Sequence, residues 1–207
     1  MYFAVPLWKV HSLDKGVRVE VSAGACILLA LMLLLLPLRW LLAVIVAAAV
    51  HEGCHALAVV LFGGRLRSVQ ITAGGAKMDA SPVGNSGEII CALAGPAGGL
   101  LLLFLVKWFP RTALCAAIQS AWNLLPIYPL DGGRALQCIA TLIISPDKAD
   151  IFCRFTERVC IAVLVVIGIY GSVVLHLGLL PLFPGVISLM HTKYGKTPCK
   201  QGLKRVQ

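Results

Sequence analysis

The amino-acid sequence predicts an all-α polytopic membrane protein, with five to six transmembrane segments and a small membrane-associated β-hairpin between the second and third. Of the 207 residues, 59% are hydrophobic and 13% are charged, whereas about a quarter of the residues in an ordinary soluble domain are charged. The mean hydropathy is +0.90. The apolar residues form long runs, and the Lys and Arg residues stand in the short segments between these runs, as topology signals do.

The individual spans follow from the lengths of the apolar runs, since a helix needs about 20 apolar residues to cross about 30 Å of hydrocarbon. We expect spans at residues 21–37, 38–62, 88–106 and 112–128. Pro126 and Pro129 should unwind the end of the fourth span. The run at residues 159–190, which Pro181 and Pro184 divide, forms either a helical hairpin of two short spans or one span plus a re-entrant segment.

The segment between the second and third spans, residues 68–80, contains two short stretches around Gly74 and Gly75. A turn of this kind favours a β-hairpin, and an irregular surface loop is the alternative. No polar segment is long enough to hold a core of its own. We therefore expect a single membrane domain over residues 1–207 and no separate soluble domain.

The distribution of charge predicts the orientation. Cations are more numerous in the amino-terminal segment, around Arg65 and after Arg134 than around Arg39 or Lys107, which places the amino terminus in the cytoplasm. Further cations in the carboxy-terminal tail favour six segments over five. The amino-terminal segment lacks a small-residue cleavage site after a short apolar run, so we expect it to be retained in the protein.

The sequence argues against two other interpretations of the composition. The net charge is +9, but no cluster of cations is interleaved with aromatic residues that could stack on bases, so nucleic acid is not an expected partner. The eight cysteines are scattered, mostly within apolar runs, and form no Cys-x-x-Cys pair. We therefore expect no disulfide framework.

The most informative motif is His-Glu-Gly-Cys-His at residues 51–55, which directly follows the apolar residues 41–50. On a helix, His51 and His55 share one face and can bind one ion, while Glu52 lies close enough to hold a water molecule without being a ligand. Zinc hydrolysis needs this division of roles. The alternative is a pair of core histidines bonded to backbone carbonyls, but the cost of three polar groups within a span favours a metal.

A catalytic zinc needs a third protein ligand, and Asp131 is the best candidate because it follows the proline-broken fourth span. Irregular backbone at that depth is tolerated where it is buried in protein or lines a cavity, and Gly132 and Gly133 allow a close turn. The alternative is an ordinary helix cap at Asp131. His176 and His191 are weaker competitors, and we expect His11 to be solvated.

Three motifs together resemble the site-2 protease family of intramembrane zinc proteases, over about residues 38–140: His51-Glu52-Gly-Cys-His55, Ala94-Gly95-Pro96 and Asn123-Leu-Leu-Pro-Ile-Tyr-Pro-Leu-Asp131-Gly-Gly-Arg134. The resemblance implies that His51, His55 and Asp131 hold one Zn²⁺ ion and that Glu52 is the general base. It also implies that Asn123 lies close to the active site and contacts the substrate backbone or a catalytic intermediate.

The chain departs from the family pattern at two places. The family often has Gly at the position of Cys54, and an Asn shortly after the Gly-Pro pair, where this chain has Gly98 and Gly99. The second difference puts the substrate contacts or the helix packing of the third span in question, although glycines make close helix approach easy.

The implied activity is hydrolysis of a peptide bond within or next to a membrane segment of a regulatory protein, with the hairpin binding the unwound substrate as an added strand. The compact layout is similar to the sporulation branch of the family, which activates a membrane-associated pro-sigma factor in bacteria; an anti-sigma factor or a remnant signal peptide would also suit. We expect an integral protein of the bacterial cytoplasmic or forespore-surrounding membrane. Its substrate should be selected by the membrane core or by regulatory membrane partners.

The alternative from a different functional class is a non-catalytic membrane zinc-binding scaffold or metal transporter. A scaffold would be expected to have lost Glu52, which is present, and a transporter would carry polar residues along several spans. In this chain the polar residues cluster at one depth, which favours the enzyme.

Overall fold

The computed structural model describes residues 6–9, 17–81 and 83–173, and it divides into two compact units, Met1–Leu124 and Leu125–Gln207. The described part of the first unit contains four α-helices and a short 3₁₀ turn at Leu102–Leu105. These helices are α1 (Ala23–Leu35), α2 (Leu38–Leu61), α3 (Gly84–Leu101) and α4 (Pro110–Asn123). The described part of the second unit contains α5 (Asp131–Ile143) and α6 (Pro146–Val173).

The helix boundaries follow local chemistry. Ser22 caps α1, since its Oγ accepts a hydrogen bond of 3.2 Å from the backbone N–H of Ala25, as N-cap residues do. Pro37 separates α1 from α2. Pro110 and Pro146 stand at the starts of α4 and α6, where the missing N–H of proline costs no helical hydrogen bond.

A four-stranded sheet completes the first unit. Its strands are β1 (Pro6–Lys9), β2 (Arg18–Ser22), β3 (Leu66–Thr72) and β4 (Gly75–Ala80), and they lie side by side in that order. β2 and β3 are parallel, whereas β1–β2 and β3–β4 are antiparallel pairs. The predicted hairpin is therefore present as β3 and β4, and the irregular-loop alternative is wrong. The two strands of the amino-terminal segment were not predicted.

Two described helices are long and apolar enough to cross a membrane, Leu38–Leu61 and Ser86–Leu105, and they correspond to the predicted second and third spans. The other boundaries differ from prediction. α1 has only 13 residues. α4 ends at Asn123 because Pro126 disfavours helical backbone in the residue before it. α6 begins before residue 159, and residues 174–190 of the last predicted run lie outside the described residues.

Small residues form the contacts among α2, α3 and α4. The alanines at these contacts are almost fully buried: Ala43, Ala47, Ala92, Ala113 and Ala116. Large apolar side chains point outward instead, for example Leu34, Leu61 and Phe104. Only 22% and 33% of the two membrane-length windows are buried. Small residues inside and large apolar residues outside are typical of helices that contact lipid.

Candidate active site

Helix α2 brings His51 and His55 together. They stand one turn apart, with their rings edge to face and the ring centroids 4.8 Å apart, and His51 is only 2% exposed. The two Nε2 atoms lie 3.2 Å from each other. In a tetrahedral zinc site with Zn–N bonds of about 2.0–2.1 Å, two ligand nitrogens stand about 3.3–3.4 Å apart. The pair therefore has the spacing that one zinc ion requires.

The other ring nitrogen of His55 sets the tautomer. Nδ1 donates a hydrogen bond of 2.6 Å to the backbone carbonyl of Cys91, and because a carbonyl can only accept, Nδ1 must carry the hydrogen. Nε2 then keeps its lone pair and can bind a metal. His55 thus makes the hydrogen bond to a backbone carbonyl that is expected of an ordinary core histidine. This bond uses only Nδ1, so Nε2 stays able to bind a metal.

Glycines of α3 allow the close approach of this helix to its neighbours. A Cβ at Gly95 would overlap the His55 ring, one at Gly98 would overlap Cys54 Sγ, and one at Gly99 would overlap Ser120 Oγ. The glycines at positions 98 and 99 therefore support close helix packing. The larger side chain of Cys54 fits against α3 because residue 98 has no side chain.

Glu52 lies on α2 beside the β3–β4 turn. A Cβ at Gly75 would lie 4.0 Å from Glu52 Oε1, and Gly75 has a φ of +111°, which glycine adopts far more easily than other residues. Thr72 closes the turn, since its Oγ1 donates to the Gly75 carbonyl (2.8 Å) and accepts from the Gly74 N–H (3.3 Å). The sequence predicted the hairpin but not its proximity to the carboxylate.

In the second unit, Asp131 is the first residue of α5 and only 8% exposed. The preceding residue, Leu130, is the N-cap, so the alternative of an ordinary helix cap at Asp131 is not observed. Arg134 Nη1 lies 3.9 Å from Asp131 Oδ1, with the Arg134 side chain 49% exposed.

A Cβ at Gly133 would lie 2.5 Å from the carbonyl group of Ile127. Gly133 therefore allows residues 125–130 to fold back onto the start of α5, as a close turn requires.

Asn123 is the last residue of α4. Its Nδ2 donates a hydrogen bond of 3.0 Å to the Gln119 carbonyl, which uses one of the two N–H groups of the amide. Its role toward a substrate stays a prediction. The remaining histidines considered from the sequence, His11, His176 and His191, lie outside the described residues.

Residues 24–130 match the profile of the Peptidase M50B-like family, which is more than half of the chain. The chain belongs to this family. The M50B-like match includes the His51-Glu52-Gly-Cys-His55 motif and Asn123, and it ends one residue before Asp131. No curated protein matches the chain.

Among solved structures, the M50B-like chain is similar to the site-2 protease from Methanocaldococcus jannaschii, with a TM-score of 0.61 and 17% sequence identity. The alignment covers 94% of this chain and 98% of the archaeal one. At that identity the likeness concerns the fold. Together with the family match, it confirms the family that the three motifs predicted.

Proposed function

We propose that this M50B-like chain is a zinc-dependent intramembrane endopeptidase, which hydrolyses a peptide bond within or next to a membrane segment of a regulatory protein. The observation that carries the proposal is the pair of Nε2 atoms 3.2 Å apart on α2. Glu52 stands next to one of these histidines, in a helix whose only other charged residue, Arg39, lies in its first turn. Three polar side chains in such a helix are costly unless they serve chemistry.

The metal centre consists of His51, His55 and Asp131. Three protein ligands are typical of a catalytic zinc, because the fourth position stays open for water or substrate. When bound, zinc lowers the pKa of water and polarises the scissile carbonyl. Asp131 suits this set as a buried carboxylate at the start of α5.

Glu52 is the general base. Its carboxylate takes a proton from the attacking water while the water oxygen bonds to the scissile carbonyl carbon, and it then passes that proton to the amine that leaves as the C–N bond breaks. Asn123 contributes an amide N–H to the substrate peptide or to the negatively charged oxygen that forms during attack.

The β3–β4 hairpin receives the substrate. A transmembrane helix satisfies its own amides internally, so the segment to be cut must unwind before water can reach it. β4 is the outer strand on its side of the described sheet, and it begins at Gly75, beside Glu52. A substrate strand added along β4 would thus run toward the general base, with main-chain hydrogen bonds that need no particular side chains.

The substrate class in this proposal is a membrane-embedded or membrane-associated regulator, such as a pro-sigma factor processed during sporulation. The protein acts as a multi-pass protein of a bacterial cytoplasmic membrane, where membrane partners select the substrate. The exposed apolar side chains of α1, α2 and α6 support the membrane location.

The decisive experiment replaces Glu52 by Gln in protein co-expressed with a candidate regulator. Zinc content should stay at one ion per chain, whereas cleavage should fall by about 10²- to 10⁴-fold, the usual contribution of a general base. Glu88→Gln, at an exposed acid of α3, is the matched control and should change neither quantity. Undiminished cleavage by Glu52→Gln would contradict Glu52 as the general base. Equal cleavage in cells that lack the chain would contradict the enzyme and favour the scaffold or transporter, and a wild-type chain without zinc would contradict the metal centre.

A further inference from the structure

The Ala94-Gly95-Pro96 motif has no part in the chemistry proposed above, yet it faces a metal ligand. The three atoms nearest to a Cβ built at Gly95 are Nε2, Cδ2 and Cε1 of the His55 ring, and the overlap is greatest with Nε2. The His55 ring therefore lies directly against the backbone of residue 95. Any side chain at this position would occupy the space of the nitrogen that faces His51.

The same turn of α3 also holds the opposite end of the ring. Cys91 precedes Gly95 by four residues, so the two residues stand one above the other on one face of the helix. A backbone carbonyl has two lone pairs. In a regular helix one lone pair of the Cys91 oxygen accepts the N–H of residue 95, and the second accepts Nδ1 of His55.

We propose that this turn of α3, formed by the Cys91 carbonyl and Gly95, orients the His55 ring for metal binding, and that Gly95 is a positioning residue of the metal centre. The inference rests on the proposed function, since it takes His55 to be a zinc ligand. The carbonyl determines which nitrogen carries the hydrogen, and the missing side chain leaves room for Nε2 at its position 3.2 Å from His51.

A helix-packing role alone would make a different prediction. Overlap with backbone atoms cannot be relieved without moving a helix, whereas the far end of a side chain can rotate away. At Gly95 the three nearest atoms all belong to the His55 ring. A methyl group introduced at position 95 is therefore accommodated by rotation of His55, so the fold survives but the ligand nitrogen moves.

The test is Gly95→Ala in the full-length chain in detergent, with zinc affinity measured by competition with a chelator. We expect zinc to bind about 10- to 100-fold more weakly, the usual cost of losing an outer partner of a metal ligand. The same substitution in a His55→Ala background should weaken the residual zinc binding no further, because the ring it displaces is absent. Such non-additivity is the signature of a direct coupling.

Gly98→Ala is the matched control, at a glycine one turn further along α3. Its Cβ would overlap Cys54 instead of a metal ligand. We expect a lower melting temperature with unchanged zinc affinity, and Cys54→Gly should restore the stability.

The outcomes separate this inference from the proposed function. Wild-type zinc affinity in Gly95→Ala, or an equal loss in both backgrounds, would overturn the positioning role while leaving the zinc protease intact. If Gly95→Ala fails to fold while His55 is present, the overlap is not relieved by rotation of the ring. Residue 95 then serves packing, and the positioning role is overturned. A wild-type chain without zinc would instead contradict the proposed function itself.

Discussion

At the scale of single residues, the helical spacing of the motif is enough to predict that His51 and His55 share one face and that Glu52 lies beside them. The structure confirms that the two histidines share a face, with their Nε2 atoms 3.2 Å apart. Their partners on other elements follow no such local rule. The Cys91 carbonyl accepts a hydrogen bond from His55, and the backbone of Gly75 lies beside Glu52. The type of a residue does not show which side chain its backbone contacts.

Asp131 and its neighbour Arg134 provide a prediction at this scale. Asp131→Ala should weaken zinc binding by more than the roughly 10- to 100-fold that loss of an outer partner costs, and should abolish cleavage. Arg134→Ala should change zinc affinity little, because the pair is separated by 3.9 Å and Arg134 is half exposed, and such pairs contribute about 0–1 kcal/mol. Metal analysis of both variants is the measurement. An Asp131→Ala protein with full zinc content would remove Asp131 from the ligand set.

At the scale of elements, helices and strands with a strong local signal were predicted well. α2 was predicted from the apolar run at residues 41–50, and the β3–β4 hairpin was predicted from the Gly74-Gly75 pair. β2 was missed because its five residues pair in parallel with β3, some fifty positions away, and nothing within the strand indicates this partner. The start of α6 was missed because its first turns are polar, with Asp150 and Arg154 paired at 2.7 Å, so hydropathy did not reveal a helix there.

The outer edge of β4 provides a prediction for this scale. Thr72 and Gly75 flank the two-residue turn and pair with each other. In such a hairpin every second residue of β4 is hydrogen-bonded to β3, beginning with Gly75 and then Lys77. The N–H of Met78 therefore points away from β3. Met78→Pro removes that N–H, which edge strands tolerate. Cleavage should fall about 2- to 10-fold, as the loss of one net hydrogen bond of about 0.5–1.5 kcal/mol implies, with zinc content unchanged.

Met78→Ala is the control for this prediction, since it shortens the side chain but keeps the N–H. It should cleave the substrate faster than Met78→Pro does. Equal rates for the two variants would indicate that the N–H of residue 78 contributes nothing and that no strand is added at β4.

At the scale of the whole molecule, composition predicts a membrane protein, and the exposed apolar helices agree with it. Hydropathy cannot count the spans reliably in this chain. Helices α1, with 13 residues, and α4, with 14 residues, fall below the length that distinguishes a span from a buried segment. The five or six predicted segments and the single predicted domain therefore remain predictions.

The predicted orientation has a direct measurement. Trypsin added to sealed spheroplasts should cut at Lys107, which is exposed between the 3₁₀ turn and α4, or at Arg111, which is exposed in the first turn of α4. An epitope tag at the amino terminus should stay protected. In inverted vesicles the tag should become accessible. Protection of Lys107 together with loss of the tag in spheroplasts would reverse the orientation that the cation distribution predicts.

The sequence by itself determined the membrane class, the family and the pair of histidines on α2, because apolar run length and helical periodicity are properties of contiguous residues. Only the tertiary structure decided that α3 supports His55 through a carbonyl and a glycine, that the hairpin turn lies beside Glu52, and that the amino-terminal strands join the sheet. These contacts connect residues far apart in the chain. Their formation depends on how closely the backbones approach, which the order of residue types does not encode locally.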